Sequence, residues 1–391
     1  MLLGVRPSIR SAVAHLDAPF AVLDLDAALD NARAMTMRAS GVPIRLASKS
    51  VRIPELLRRV GELPGYRGIL AYSLEEALWL FDTGVSTDIL VAYPTANRAS
   101  LRRLAEHPTG AAARRAITLM VDSPDHLDLI AQCCSAPIRV CIDVDASLRI
   151  GPVHLGARRS PVHTVGQAVS LTRLISTHPV CTLVGLMAYE GQIAGTTDTS
   201  AAVGVMKKIS AAELATRRAA IVHAVEDALG APLEFVNGGG TGSIETTAAE
   251  QVITEIGAGS GILGPGLFDH YRHFSPTPAE WFVLPVVRRP ATDTVTVAGG
   301  GRVASGVIGR DRLPTVDWPV GLTMSSLEGP GEVQTPLTGA AARNLRIGDH
   351  VWLRHAKAGE QNEFNNEVQV VSGGEVLATW PTYRGEGKVF V

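Results

Sequence analysis

A lysine closes the stretch PIRLASK at residue 49, and a run of glycines, NGGGTGS, begins at Asn237. An amine placed after an apolar run can attack a carbonyl and hold it covalently. The plainer reading of Lys49 is a solvated residue at a strand terminus. Consecutive glycines let backbone N–H groups approach an anion closely, and Thr241 and Ser243 add hydroxyl donors. A bare turn is the plainer reading there. A second small-residue loop, AGSG, ends at Gly261 and follows the next apolar segment.

These groups need elements to carry them. Apolar segments recur at 43–49, 68–73, 89–93, 117–122, 138–144, 182–189, 233–237 and 254–257. They are near-continuous apolar runs, as expected of parallel strands covered on both faces. The stretches between them read as helices. SLEEALWLFDTG sets Leu74, Ala77, Leu78 and Leu80 on one broad face and stops at Gly84, and SAAELATRRAAIVHAVEDALG stops at Gly230. Eight strands alternating with helices predict a (β/α)8 TIM-like barrel, with a doubly wound open sheet as the alternative. After about residue 275 the texture changes to short alternating runs such as FVLPVVRRP, DTVTVAGGG, RVASGVI, DHVWLRH and EVQVVSGGEVLATW. These predict a C-terminal antiparallel β domain. The expected organisation is a barrel over 22–274 and a β domain over 275–391, joined by residues 1–21.

In a barrel, chemistry gathers at the C-terminal ends of the strands. Lys49 ends the first segment, Arg149 follows the fifth in CIDVDASLRIG, and Tyr189 ends the sixth in GLMAYEGQ. The two glycine loops follow the seventh and eighth, the usual place for a barrel phosphate site. A phosphate site together with a strand-end lysine points to pyridoxal 5'-phosphate.

Composition narrows the rest. The 391 residues are 46% hydrophobic and 19% charged, with a formal net charge of -2. That length allows roughly two domains. No basic excess suggests a nucleic-acid partner. No apolar run approaches the ~18 residues of a membrane span. Arg6, Pro7 and Arg10 interrupt the N-terminal stretch early, which makes it a poor signal peptide. Cys133, Cys134, Cys141 and Cys181 lack metal-site spacing and read as reduced thiols of a cytoplasmic protein.

The segments RLASKSVR, DVDASLRIG, GLMAYEGQ, NGGGTGS, GSGILGPGLFDHY and RHAKAGEQNEFNNE occur in this order between residues 45 and 367. In content and order the chain resembles the fold-type III pyridoxal phosphate enzymes, which include alanine racemase, D-threonine aldolase and D-serine dehydratase. It is most similar to the D-threonine aldolase-like branch and its amino acid deaminase/aldolase group. The resemblance implies a lyase cleaving a β-hydroxy-D-amino acid by a retro-aldol reaction, with dehydratase and racemase as alternatives. It implies Lys49 as the Schiff-base lysine and Arg149 beside the cofactor's phenolic oxygen, where a rim salt bridge is the plainer reading. It implies Tyr189 beside the cofactor, and Asn237, Gly239, Gly240, Thr241, Ser260 and Gly261 around its phosphate. Tyr271 either closes over the phosphate or belongs to a core or interface. A head-to-tail homodimer is implied as well.

Two departures stand out. Racemases of this group place an arginine against the pyridine nitrogen, and Gly257 stands at about that position here. D-Threonine aldolases and D-serine dehydratases carry a His-x-Asp or His-x-Cys pair that binds a divalent metal. Here His355 is followed at the second position by Lys357, a poor ligand at neutral pH. The expected alternatives are a metal on His355 completed by Glu360 or Glu363, or a lost metal site with Lys357 or His355 holding the substrate hydroxyl.

Overall fold

The computed structural model describes residues 4–198 and 200–390; the end residues of the expected domain ranges, Met1 and Val391, lie outside the described ones. The described chain divides into two compact units, one of residues 34–48, 57–198, 200–259 and 390, the other of residues 4–33, 49–56 and 260–389.

In the first unit each apolar run becomes a strand. Ile44–Ala47, Tyr66–Ala71, Ile89–Val91, Ile117–Val121, Ile138–Asp143, Cys181–Ala188, Phe235–Gly238 and Glu255–Ala258 pair side by side into a closed barrel. Every pairing is parallel, and Ile256 opposite Ile44 closes the ring. The (β/α)8 expectation therefore holds and the open sheet is excluded. Leu90, Met120, Cys141, Val184, Met187 and Phe235 pack together as part of the barrel's core. The intervening helices carry the signals that start and stop them. Ser73 accepts the Glu76 N–H at the start of Leu74–Asp82, while the Glu76 carboxylate accepts the Tyr72 N–H at 2.7 Å. Ala201–Leu229 stops at Gly230, whose φ of 72° suits a residue without Cβ.

One ion cluster, centred on buried Arg45 and Glu255, braces the barrel. The Arg45 guanidinium donates to Glu255 through Nε at 2.7 Å and Nη2 at 2.8 Å, and to Asp88 Oδ1 at 2.8 Å. Gly68 makes room for it. A Cβ there would lie 2.6 Å from Arg45 Nη1 and 2.5 Å from the Asp88 carbonyl. Asn237 Nδ2 donates to Glu255 Oε1 at 2.9 Å, which ties the glycine loop to the same cluster.

The second unit is built on a nine-stranded sheet. Its path runs Thr323–Met324, Gln334–Thr338, Thr294–Ala298, Glu280–Ala291, Phe20–Asp24, Glu367–Ser372 and Glu375–Pro381, with His350–Arg354 branching from Glu280–Ala291 and Thr315–Trp318 pairing in turn with His350–Arg354. All pairs are antiparallel except Phe20–Asp24 with Glu367–Ser372. Alternation places Phe282, Leu284, Val295, Val297, Leu337, Val351 and Leu353 in one apolar cluster. Val22, Trp281, Val283 and Trp352 pack into a second. RVASGVI, expected to alternate as a strand, is irregular instead. Its Arg302 side chain turns inward, 4.3 Å over the Phe282 ring, and donates to Gln361 Oε1 at 3.0 Å. Among the described residues no helix is long and apolar enough to cross a membrane.

Candidate active site

In the barrel unit, Tyr189 follows the sixth strand directly. Burial pushes its phenol up to about 12, so it stays protonated at neutral pH. The Arg159 guanidinium lies 5.7 Å from the Tyr189 ring centroid and 5.6 Å from that of Tyr93. Asp143 ends the fifth strand, and burial, with the Asp122 charge, pushes its carboxyl up to about 7 despite the opposing Arg159 charge. Asp143 and Arg159 were missed in the sequence. Asp143 carried the weaker signal of a carboxylate closing an apolar run; Arg159 sits in a loop with no pattern.

Arg149 stands on a small hairpin, Leu148–Ile150 with Val153–Leu155. Its guanidinium pairs with Asp145 and is 40% exposed. Asp145 is held below the usual carboxylate range: burial opposes this, but hydrogen bonds from Ser147 and Arg149 and the Arg149 charge outweigh it. Arg149, His154, Arg158, Arg159, Ser160 and Pro161 line a cleft of about 400 Å³ whose basic walls suit an anion.

The glycine loop is stitched from behind by Glu190, another residue the sequence did not single out. Its buried carboxylate accepts the Gly239 N–H at 3.1 Å, the Ser243 hydroxyl at 3.0 Å and the Thr247 hydroxyl, and it pairs with buried Arg218 at 3.0 Å. The Gly240 N–H donates to Ser243 Oγ at 3.2 Å. Two amides expected to face a phosphate thus have protein partners. Gly239 has a φ of +84°, and a Cβ there would lie 2.9 Å from Ile256 Cγ2. At Gly240 a Cβ would lie 2.8 Å from Ala194 Cβ and 3.3 Å from Tyr189 Cε2. The structure therefore brings Tyr189 and the glycine loop together. Thr241 is buried, and its carbonyl accepts Arg38 Nη2 at 2.8 Å. Asn237 Oδ1 is buried without a partner among the described residues.

In the second unit, Lys49 sits on a 3-10 turn, Ser48–Ser50, one residue beyond the first barrel strand and its following serine. Its side chain is exposed. Its backbone is clamped. The Lys49 carbonyl accepts Arg52 Nε at 3.1 Å, and Arg52 pairs with Glu363. Asn362 Nδ2 donates to the Val51 carbonyl at 2.9 Å. Gly359, at φ +83°, packs so close that a Cβ would fall 2.1 Å from the Lys49 carbonyl. Ser260 and Gly261 begin two residues beyond Ala258, the end of the eighth strand. Tyr271 is buried among Phe268, His273 and Phe274, with ring centroids 5.2, 6.3 and 4.9 Å away.

His355 follows the strand His350–Arg354 and is buried. Its Nδ1 lies 2.6 Å from the Lys357 carbonyl, so the ring proton sits on Nδ1 and donates there. The 3.1 Å approach of the Lys357 N–H to the same nitrogen is then a close contact, because one neutral nitrogen cannot serve both ways. Nε2 keeps its lone pair, buried and without a partner among the described residues. Burial holds the imidazole below its usual pKa, hence neutral. Among the described residues no three His, Cys, Asp or Glu side chains gather as a metal site. Glu363 is paired with Arg52, and Glu360 accepts from Ser305 and faces Lys357. These residues do not fit a divalent metal.

A closed parallel barrel with a lysine after its first strand and glycine loops after its last two is the frame of a strand-end enzyme site. Residues 23–265 match the alanine racemase N-terminal domain, and the chain belongs to that family. It is 29% identical to the D-threonine aldolase of an Arthrobacter species over 85% of this chain and 84% of that protein. It is 29% identical to the 3-hydroxy-D-aspartate aldolase of Paracoccus denitrificans over 63% of this chain and 60% of that protein. The crystal structure of D-threonine aldolase from Filomicrobium marinum shares its fold, with a TM-score of 0.80, 23% identity and 97% of both chains covered. So does D-threo-3-hydroxyaspartate dehydratase from Delftia sp. HT23, at a TM-score of 0.72 and 21% identity over 95% of this chain and 98% of that one.

Proposed function

We propose that the protein is a pyridoxal 5'-phosphate-dependent lyase that cleaves a β-hydroxy-D-amino acid by a retro-aldol reaction. Pyridoxal phosphate is the cofactor of the family. The residues present fit it: an exposed lysine after the first strand, a buried phenol against the glycine loop, and a guanidinium beside that phenol. When bound, it supplies an electron sink for the pair left on Cα. Lys49 Nζ would hold the cofactor, and its amine would carry the proton at Cα. Tyr189 and Arg159 would offer the cofactor a protonated phenol and a fixed cation.

The observation that carries the lyase reading is His355, a neutral imidazole with an unengaged Nε2 lone pair, fixed by its Nδ1–H on the Lys357 carbonyl. Such a nitrogen can take the β-hydroxyl proton. The O–H pair becomes the second bond of an aldehyde carbonyl, the Cα–Cβ bond breaks, and Cα is reprotonated to glycine. The racemase alternative has less support. A side chain at Gly257 would come within 3.0 Å of Asn237 Oδ1 and Leu70 Cδ2, so the place where racemases carry an arginine admits none without displacement.

We further infer a homodimer, with Lys49, Arg149 and Tyr189 and the Asn237, Gly239, Gly240, Thr241, Ser260 and Gly261 loops serving the cofactor. The described cysteines are free, which fits a reducing cytoplasm.

Product analysis tests the reaction. The holoprotein given D-threonine is expected to release glycine and acetaldehyde in equal amounts. Release of 2-oxobutanoate and ammonia would replace the aldolase with a dehydratase, and recovery of a stereoisomer with no glycine would replace it with a racemase.

A further inference from the structure

His355 lies at the start of a loop that is built around a cation of its own. The carbonyls of His355 and Ala356 accept the Gly266 and Leu267 N–H groups, each at 3.1 Å, which fixes the backbone that carries the ring. Two residues on, Lys357 Nζ donates to Ser305 Oγ at 2.9 Å and lies 3.5 Å from Glu360 Oε1. Ser305 in turn donates to both Glu360 oxygens, through its hydroxyl at 2.6 Å and its N–H at 2.8 Å. Lysine, serine and glutamate thus close a small network, and the ammonium is held within it rather than trailing in solvent.

This arrangement is unsuited to a divalent ion. An ammonium has no lone pair to donate. Its charge repels a dication in the same loop. Arg302, which donates to Gln361, adds a second positive charge to the surroundings of the imidazole. Both carboxylates of the loop already have partners: Glu360 has Lys357 and Ser305, and Glu363 has Arg52. Among the described residues of this loop, His355 Nε2 and Asn362 Oδ1 are left without partners, and one imidazole with one amide oxygen falls short of the three protein ligands of a catalytic metal. The same charge pattern is well suited to an oxygen that gains negative charge.

We propose that the Lys357 ammonium takes the place of the metal ion in this chain, so that the His355 loop works metal-free, with Nζ donating to the substrate's β-oxygen while Nε2 takes the hydroxyl proton. The choice of substrate rests on the lyase reading above; the absence of a metal does not. In the balanced step one proton passes from oxygen to Nε2, and the ammonium keeps its own protons while it stabilises the developing charge. No oxidant or second reactant is needed.

Metal content is the first test. The purified holoprotein is incubated with Mn2+ or Zn2+, desalted and assayed by elemental analysis, with melting followed in parallel. The expected result is far less than one metal per chain and no metal-dependent rise in Tm. One retained metal per chain, lost in His355→Ala, overturns the proposal whether or not any amino acid is turned over. The second test is turnover of a β-hydroxy-D-amino acid in the presence of chelator. Wild-type turnover should be unchanged. Lys357→Met, at a side chain one-third exposed in the fold, should lower kcat about 10²-fold, while the pyridoxal absorbance band stays as in wild type. Full activity in Lys357→Met, or loss of wild-type activity with chelator, overturns it. A wild type that holds no metal yet cleaves no β-hydroxy amino acid would remove the lyase reading and leave the metal-free loop standing.

Discussion

Glu190 holds the glycine loop of the candidate site from behind. One buried carboxylate accepts a glycine N–H and two hydroxyls and neutralises Arg218. Removing it leaves buried Arg218 with Glu250 as its one carboxylate partner among the described residues. Breaking one partner of a buried pair costs on the order of 3–5 kcal/mol. Glu190→Ala is therefore expected to lower Tm by several degrees and to weaken pyridoxal phosphate binding at least tenfold, read by fluorescence titration. Unchanged cofactor affinity would show that the glycine loop holds its shape without Glu190. Lys49 was legible in the sequence because an amine at the end of an apolar run breaks a local rule. Glu190 and Arg159 were not, because their meaning lies in partners far along the chain. Glu190 reads locally as one more polar residue after a strand, and Arg218 as one more charge on a helix.

At the scale of elements, the eight barrel strands could be read from apolar runs alone, since parallel strands buried on both faces leave that trace. The parallel pairing of Phe20–Asp24 with Glu367–Ser372 left none. Both partners are ordinary strands, and nothing in either names a neighbour nearly the whole chain away. The loop after His350–Arg354 shows the same limit. Its HAKAGE residues suggested chemistry, but its grip on the Lys49 turn depends on Gly359, Asn362 and Glu363 meeting residues 49–52. Gly359 is the tightest point. Its φ of +83° strains any residue with a Cβ, and that Cβ would collide with the Lys49 carbonyl at 2.1 Å. Gly359→Ala should displace the turn. The expected outcome is a loss of stability of about 1–3 kcal/mol together with slower borohydride-trapped labelling of Lys49. A variant with wild-type Tm and wild-type labelling would show that the two segments are not coupled. By the same reasoning Gly68→Ala, which drives a methyl against Arg45 and the Asp88 carbonyl, should destabilise the barrel in urea without changing which lysine is labelled.

For the whole molecule, the buried carboxyls predict how stability follows pH. Asp143 in the barrel unit and Glu280 in the sheet unit are both pushed up to about 7, from ordinary values of 3.8 and 4.5, chiefly by burial. A carboxyl with a raised pKa binds its proton more tightly in the fold than in the unfolded chain. Its contribution is complete below the unfolded value and is lost as pH rises through the folded value. Glu280 gives this a structural form. Its Oε1 and the Asn362 Oδ1 are both buried without partners among the described residues, and the two side chains interact. His355 acts in the opposite sense. Burial lowers its pKa, so its contribution is present above the ordinary histidine value of 6.5 and falls away as pH drops below it. The two tendencies oppose each other on the acid side, and above pH 6.5 only the carboxyl loss remains. Tm should therefore decline between pH 6.5 and about 8, measured by scanning calorimetry on the holoprotein. Glu280→Gln keeps the shape, supplies a donor without a proton to lose, and should flatten that decline, so that its advantage over wild type is largest at the alkaline end. Asp143→Asn should flatten it further and independently, because the two groups lie in separate units and share no partner. A wild-type profile that is level above pH 6.5, or a Glu280→Gln profile that runs parallel to it, would mean that the buried proton on Glu280 is not there.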